Sequence, residues 1–141
     1  MEIMRCNEED YETLAGIWER SVGATHKFLT EEDFNEIRTA LIPDYFPNVE
    51  LYVITDKGVY AGFIGLSSDA IEMLFIDSDL RGQGYGAALI EFAKRRGVTK
   101  VDVNEQNPSA LNFYKAKGFR IIGRDETDEA GRPYPILHLY L

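Results

Sequence analysis

Three glycines fall within five positions of the run Asp-Leu-Arg-Gly-Gln-Gly-Tyr-Gly-Ala-Ala-Leu, which occupies residues 79–89. Glycine is favoured where the main chain takes positive φ angles or must approach another molecule closely. The run follows an apolar segment and precedes a helical pattern, and a helix N-terminus offers unpaired N–H groups and a positive dipole end. The spacing therefore predicts a loop that binds a diphosphate through its backbone.

A dinucleotide is one candidate for that diphosphate. Gly82, Gly84 and Ala87 fit the G-x-G-x-x-G/A fingerprint, and Asp102 lies 20 residues after Gly82, where an acid would bind ribose. Five residues, however, separate Ile76 from the first glycine, and only 39 residues follow Asp102, too few for a second mononucleotide half. A Walker A loop is excluded, because no Gly-Lys-Ser/Thr follows.

The loop needs a strand before it and a helix after it. A mainly apolar run predicts a strand over 71–76, and helical spacing predicts a helix over about 84–96, with its inward side at Ala88, Leu89, Phe92 and Ala93. A strand is predicted over 100–104. Asn107 as N-cap and Pro108 at the first helical position begin another helix, which ends at Gly118. Segments 119–123 and 135–141 predict a closing hairpin.

The first half of the chain supplies the remaining elements. A strand is predicted over 3–6, and Asn7 with Asp10 forms a capping-box-like start to a helix whose buried face carries Tyr11, Leu14, Ala15, Trp18 and Val22. Thr30 begins a second helix, which Pro43 and Pro47 are expected to end. Segments 51–55 and 59–66 flank a hairpin turn. The order β-α-α-β-β-β-α-β-α-β-β predicts an α+β fold with a mixed sheet.

Length and composition fit one domain over residues 1–141, with a single core. No apolar run approaches the roughly 20 residues that a membrane span needs, and the acidic first ten residues lack the layout of a signal peptide. Cys6 is the only cysteine, and no Cys/His cluster has metal-ligand spacing. These observations predict a cytoplasmic protein that binds no metal.

Charge is distributed unevenly along the chain. Residues 81–124 contain nine Lys and Arg against three acidic residues, whereas the rest contains six against 21, for a net charge of −9. A solvated surface could give this imbalance by chance. It also suits a polyanionic ligand on one side and a cationic substrate on the other, and the overall acidity argues against nonspecific nucleic-acid binding.

The glycine loop matches, at Arg81-x-x-Gly84-x-Gly86, the Q/R-x-x-G-x-G/A loop of the GNAT superfamily of N-acetyltransferases, which holds the pyrophosphate of coenzyme A. A second segment resembles that family's next motif at the expected separation: Asn107-x-x-Ala110-x-x-Phe113-Tyr114-x-x-x-Gly118-Phe119. The order of elements over the whole chain also resembles the family fold. The resemblance implies an acetyl-CoA-dependent N-acetyltransferase with a mixed, mostly antiparallel sheet flanked by helices.

The resemblance also assigns the donor site. It implies that backbone N–H groups hold the pyrophosphate in the loop that contains Arg81, Gly82, Gln83, Gly84, Tyr85, Gly86 and Ala87. Leu74, Phe75 and Ile76 would pair with the pantetheine arm like an added strand, and one of their N–H groups would stabilise the thioester oxyanion. Asn107 is an N-cap first, and the resemblance adds a contact with the cofactor.

Catalytic roles follow from the same resemblance. Tyr114 matches the position of the family's proton donor. A phenol of pKa ~10 stays protonated at neutral pH and can protonate a thiolate of pKa ~8.5. The alternative is that Tyr114 is a core aromatic residue. Glu72 resembles the general base of histone-type members; the alternative is a solvated strand residue. His26, Phe28 and Tyr134 are candidate acceptor contacts, although such residues also occur at surfaces and in cores.

Acetyl transfer would then proceed by direct attack of an amine in a ternary complex. The acidic remainder of the chain favours a cationic amine, either a protein lysine or a small polyamine or amino sugar. A different class of function stays open, namely a noncatalytic module that senses coenzyme A or docks a partner. Such a module would need neither a catalytic acid nor a base, so turnover on an amine separates the two. The oligomeric state cannot be deduced from these residues.

Overall fold

The computed structural model describes residues 1–141, and seven strands in it form one mixed sheet. The strands are β1 (Glu2–Arg5), β2 (Glu50–Asp56), β3 (Val59–Ser67), β4 (Ala70–Ile76), β5 (Lys100–Asn104), β6 (Arg120–Asp125) and β7 (Ile136–Tyr140). The helices are α1 (Tyr11–Thr25), α2 (Glu31–Ala40), α3 (Tyr85–Arg95) and α4 (Pro108–Ala116). The spatial order β1-β2-β3-β4-β5-β7-β6 confirms the predicted α+β fold and its mixed, mostly antiparallel sheet.

Side-chain caps fix where the helices begin. Asn7 and Asp10 form the predicted capping box, on a short 3₁₀ turn that leads into α1. The Thr30 hydroxyl accepts the Asp33 N–H at the start of α2, and the Asn107 side chain accepts the Ala110 N–H at the start of α4. The second helix ends at Ala40, before either proline, and the chain continues through a π-helical turn (Leu41–Tyr45) and a 3₁₀ turn (Phe46–Asn48). None of the helices is long and apolar enough to cross a bilayer.

Each face of the sheet carries its own apolar core, because successive strand residues point to opposite faces. On one face, Ile54 and Ile64 pack with Leu89 and Ala93 of α3 and with Tyr114 of α4. The other core is formed by α1 and by the strand residues that point to the opposite face of the sheet. It contains Val53, Phe63, Leu14, Ala15, Trp18 and Val22. Helices α1 and α3 thus sandwich the sheet, as their predicted inward faces require.

Strands β4 and β5 are paired over a short stretch only. They run parallel, and their register covers Ala70 opposite Lys100 and Ile71 opposite Val101. Beyond that point β4 continues to Ile76 and β5 to Asn104, each still paired with its other neighbour. The two strands therefore diverge and leave a gap in the middle of the sheet. The glycine-rich loop and α3 follow directly from the far end of β4.

Candidate active site

A cleft of about 340 Å³ lies at this gap, bounded by β4, the glycine-rich loop, the end of α1 and the start of α4. Twelve residues predicted for the site line it together: His26, Leu74, Phe75, Ile76, Arg81, Gly82, Gly84, Tyr85, Gly86, Ala87, Asn107 and Tyr114. The side chain of Gln83 does not line the cleft, nor do Phe28 and Tyr134. Glu72 lines a second cavity next to it.

The glycine loop ends in a bare helix N-terminus. Gly82 (φ 77°) and Gly84 (φ 88°) both take left-handed conformations, and Gly84 is the N-cap of α3. The first helical hydrogen bond runs from the Ala88 N–H to the Gly84 carbonyl at 3.1 Å. The N–H groups of residues 85–87 therefore have no acceptor within the helix, which leaves them available to an anion.

Gly86, the third glycine, is needed for its small size rather than for its φ angle. A Cβ atom on Gly86 would lie 3.3 Å from Phe113 Cζ and 3.9 Å from Ile76 Cγ1. Glycine at this position lets α3 approach α4 and the end of β4, where all three line the cleft. The next residue back, Tyr85, is buried and donates its hydroxyl to Asp56 at 2.9 Å. Its side chain thus anchors the loop to β2, and its backbone N–H is one of the three that lack an acceptor within the helix.

The register of β4 shows which backbone groups face the gap. The Asp77 N–H donates to the Ala61 carbonyl at 2.8 Å, and hydrogen-bonded pairs alternate along an antiparallel ladder. Phe75 and Phe63, which lie opposite each other, accordingly form the next pair joined by backbone hydrogen bonds. Leu74 and Ile76, between the bonded positions, turn their N–H and C=O groups away from β3. That edge of β4 is free for an extended ligand to pair with.

Tyr114 lies where two cavities meet. It is 7% exposed, packs edge-on against Phe113 and Phe119, and lines both the main cleft and a second cavity of about 110 Å³. Burial raises the pKa of its phenol well above the usual value, because a phenolate would be poorly solvated there. The side chain is thus a protonated hydroxyl at the bottom of the cleft.

The second cavity adjoins the main cleft and is also lined by β5. Glu72, Asp102 and Asn104 line it together with His26 and Tyr114, and it shares six lining residues with the main cleft: His26, Leu74, Phe75, Asn107, Ala110 and Tyr114. The two spaces thus meet around Tyr114 and His26.

Glu72 occupies a β-bulge. Gly65 pairs with Met73 and Leu66 pairs with Ile71, so Glu72 is the extra residue in β4. Its carboxylate is exposed and accepts a hydrogen bond from the Ser67 hydroxyl at 2.8 Å. The bulge lies just where β4 separates from β5, and it aims a carboxylate at the second cavity.

His26 caps the C-terminus of α1 and is neutral over most of the pH range. Burial lowers its pKa to about 4. The single hydroxyl proton of Thr25 is donated to the Ser21 carbonyl (2.8 Å), so the 2.8 Å contact of Thr25 Oγ1 with His26 Nδ1 makes Nδ1 the donor. This assignment leaves Nε2 as the unprotonated nitrogen of the ring, with a lone pair to offer.

Phe28 and Tyr134 stand behind His26 rather than in the cleft. The His26 and Phe28 rings are 5.2 Å apart, and those of Phe28 and Tyr134 are 5.9 Å apart. Tyr134 is buried, and its hydroxyl donates to Asp33. The two predicted acceptor contacts thus form the support of a cavity wall.

Several cleft residues carry no signal that sequence patterns could have revealed. Ser21 and Thr25 line the cleft from α1, one helical turn apart, and Ser109 lines it from α4. Asp102, considered above for a ribose, instead accepts a hydrogen bond from His138 Nδ1 at 2.7 Å. Cys6 is buried in the α1 core, away from the cleft, and burial raises the pKa of its thiol to about 12.

Known proteins are similar to this chain in sequence and in fold. A family model described as an acetyltransferase (GNAT) domain matches residues 19–134. The peptidyl-lysine N-acetyltransferase YjaB of Salmonella typhimurium is 44% identical over 140 residues, which cover 97% of this chain and 95% of that protein. The sequence relationship thus extends over nearly all of both chains.

Solved structures agree with the fold. The solution structure of apo-form YjaB from Escherichia coli superposes with a TM-score of 0.90 at 41% identity, covering 99% of this chain and 95% of that one. A PaiA N-acetyltransferase from Thermoplasma acidophilum, solved in complex with coenzyme A, has a TM-score of 0.71 at 19% identity, with 97% and 96% covered. The second likeness bears on the fold alone.

Proposed function

The chain belongs to the GNAT acetyltransferase family, and from that premise we propose that it transfers the acetyl group of acetyl-CoA to the ε-amine of a lysine in a protein. One observation carries the proposal: the gap between β4 and β5 opens into two cavities, and Tyr114 and His26 line both of them. A donor in one cavity and an acceptor in the other could therefore meet at these two side chains without a covalent acetyl-enzyme.

The donor site in this proposal is the main cleft. The N–H groups of residues 85–87 and the left-handed glycines before them offer an anion site for the pyrophosphate. A Cβ at Gly82 or Gly84 would meet nothing within 4 Å, so the loop has open space above it. The free N–H groups of Leu74 and Ile76 would pair with the pantetheine amides, and one of them would donate to the thioester carbonyl.

Tyr114 is the proton donor in the proposal. A group that protonates a leaving thiolate must hold its proton until the thiolate forms, and burial, by raising the pKa of this phenol, keeps it protonated at neutral pH. The ring is held between Phe113 and Phe119, so its hydroxyl has a fixed place. Asn107 lines the same cleft at the start of α4.

Proton removal from the acceptor is assigned to the second cavity. A lysine of pKa ~10.4 is almost fully charged at neutral pH, so it must lose a proton before attack. The Glu72 carboxylate lines that cavity and can take the proton directly or through water. His26 Nε2, which is unprotonated above about pH 4, can accept a hydrogen bond from the resulting neutral amine and orient it.

Charge supports a cationic acceptor. Glu72 and Asp102 line the second cavity, and the chain carries a net charge of −9. Acidic groups at the mouth of a cleft raise the local concentration of cations and the rate of encounter. The name of the YjaB relatives points to a peptidyl lysine rather than a small polyamine or amino sugar.

The test is a comparison of acceptors with one donor. Purified protein is incubated with acetyl-CoA and, separately, a lysine-containing protein or peptide pool, spermidine and an amino sugar, while thiol release is followed. Mass spectrometry then locates the acetyl group. Acetylated lysine side chains are the expected product. Turnover on the small amines alone would mean that the acceptor is a small amine and not a protein lysine. Coenzyme A binding without turnover on any amine would favour a sensor.

A further inference from the structure

The loop between β6 and β7 is organised around one aspartate. Asp128 Oδ1 accepts the backbone N–H groups of Ala130 (3.0 Å) and Arg132 (2.8 Å). The Asp128 N–H in turn donates to the Arg132 carbonyl at 3.1 Å, and Gly131 turns the chain at φ 79°. These bonds close the loop on itself, so that the Arg132 side chain leaves it in a defined direction.

Arg132 joins this loop to α2. Its guanidinium Nη2 lies 2.6 Å from Glu36 Oε1, its Nε lies 3.6 Å from Asp33 Oδ1, and its Nη1 lies 3.2 Å from Asp128 Oδ2. The Arg132 side chain is only 13% exposed. A planar, largely buried guanidinium that contacts three carboxylates on two elements fixes their relative position. We call this group the Arg132 latch, comprising Arg132, Asp33, Glu36 and Asp128.

Tyr134 connects the latch to the cavities. Its hydroxyl donates to Asp33 and accepts the Thr30 N–H at 3.3 Å. Its ring contacts Phe28, whose ring contacts His26. Side chains in contact thus lead without interruption from Arg132 to the imidazole between the cleft and the second cavity.

We propose that Arg132 is a positioning residue for the acceptor, which holds the His26 ring in place through Asp33, Tyr134 and Phe28. The inference rests on the proposed function, since it assumes that the acceptor occupies the second cavity. Loss of the guanidinium would leave Asp33, Glu36 and Asp128 facing one another uncompensated, and their repulsion would part the loop from α2. Tyr134 and Phe28 would no longer be held in one position, and the distance from His26 Nε2 to the amine would vary.

The donor side shares no residue with the latch. Acetyl-CoA is assigned to the free edge of β4 and to the loop before α3, and none of the latch residues lines that cleft. Of the side chains that the latch supports, only His26 lines that cleft, and its Nε2 is assigned to the amine, so damage to the latch should affect the acceptor more than acetyl-CoA. A general loss of stability would instead affect both substrates together.

The experiment compares Arg132→Ala, Arg132→Lys and Tyr134→Phe with the control Arg124→Ala. Arg124 also makes a two-point ion pair, with Glu105 (Nη2 to Oε1 3.0 Å), but it contacts neither α2 nor Phe28. The KM values for a lysine peptide and for acetyl-CoA are measured for each variant. We expect Arg132→Ala to raise the peptide KM roughly tenfold or more, with the acetyl-CoA KM nearly unchanged. Arg132→Lys, which keeps the charge but loses the fork, should fall between.

Equal increases in the two KM values, or a peptide KM that changes no more in Arg132→Ala than in Arg124→Ala, would overturn the inference. Should Arg132→Ala fail to fold, Tyr134→Phe makes the same comparison, because it keeps the ring and removes only the bonds to Asp33 and Thr30. A wild-type protein that acetylates no lysine peptide would refute the proposed function instead. The same comparison, made with the amine that it does accept, would then decide the role of Arg132.

Discussion

Arg20 in α1 donates to both carboxylate oxygens of Asp77 at the exit of β4, with Nε 3.0 Å from Oδ1 and Nη2 2.8 Å from Oδ2. The Asp77 side chain is 14% exposed and that of Arg20 is 50% exposed. The pair ties the first helix to the residue where β4 ends and the glycine loop begins. It thus fixes the corner between the pantetheine edge and the pyrophosphate loop proposed above.

Asp77→Asn should lower the free energy of unfolding by about 1 kcal/mol and weaken acetyl-CoA binding. The hydrogen bonds from Arg20 hold the pKa of Asp77 below its usual value. Their stabilisation is therefore present above the unfolded pKa, near 4, and is lost as pH falls through the folded pKa. Denaturant unfolding at neutral and acid pH checks this, with Asp69→Asn, which breaks an exposed pair with Lys100, as the control. An equal effect of the two variants would contradict the prediction.

Tyr114→Phe should reduce kcat by roughly a hundredfold or more, the usual contribution of a general acid, and leave acetyl-CoA affinity near normal. Phenylalanine preserves the packing against Phe113 and Phe119, so the cleft keeps its shape. Thiol release gives the rate and calorimetry gives the affinity. Tyr60→Phe, which removes a phenol hydroxyl bonded to Asp10 and away from both cavities, serves as the control. Unchanged turnover in Tyr114→Phe would exclude the phenol as the acid.

Glu72→Gln should lower turnover most at low pH. The amide still accepts the Ser67 hydrogen bond, so the bulge is retained, but it cannot take a proton. The reaction would then depend on amine that is already neutral, and that fraction rises with pH. The ratio of wild-type to variant rate, measured across pH, is the readout. A ratio that does not vary with pH would mean that Glu72 is not the base.

Gly84→Ala and Gly97→Ala form a matched pair. Their φ angles are 88° and 83°, and neither Cβ would meet an atom within 4 Å, so each variant should cost about 1–2 kcal/mol of stability from backbone strain alone. Gly84 precedes α3 in the cleft, whereas Gly97 follows its other end. We expect only Gly84→Ala to raise the acetyl-CoA KM. Similar acetyl-CoA KM values in the two variants would show that the glycine loop does not belong to the donor site.

His138→Gln should destabilise the protein below about pH 6 and much less at alkaline pH. The hydrogen bonds that its ring nitrogens donate to Asp102 and Asp125 raise the pKa of the imidazole, which lies 2.7 Å from each carboxylate. A raised folded pKa contributes stability that is complete below the unfolded pKa, near 6.5, and is lost as pH rises through the folded one. Melting temperatures of both proteins across pH test this. A difference in melting temperature that grows toward alkaline pH would contradict the prediction.

Local chemistry made the elements predictable. The caps at Asn7, Thr30 and Asn107 involve partners within three residues, so residue type and spacing are sufficient to place them. The glycine loop is likewise local, since its φ angles and the helix after it are properties of one short segment. Most of the residues that line the cleft belong to such segments.

Pairings between distant segments were not predictable. Arg20 and Asp77 are 57 residues apart, and Arg132 and Glu36 are 96 apart, and nothing in either sequence neighbourhood specifies the partner. The same is true of the bulge at Glu72 and the early separation of β4 from β5, which depend on how three strands align. The ring contact that joins Tyr134 to Phe28, residues that the sequence indicates only as candidate acceptor contacts, is of the same long-range kind.

The free edge of β4 has an evolutionary consequence. Its donors are the backbone N–H groups of Leu74 and Ile76, and every residue except proline carries that group. In the proposed function, donor recognition is then insensitive to side-chain substitution along the strand, whereas the acceptor wall depends on particular residues at positions 26, 28, 132 and 134. One half of the site can stay constant while the other is rebuilt, so the scaffold can change its acceptor without giving up its donor.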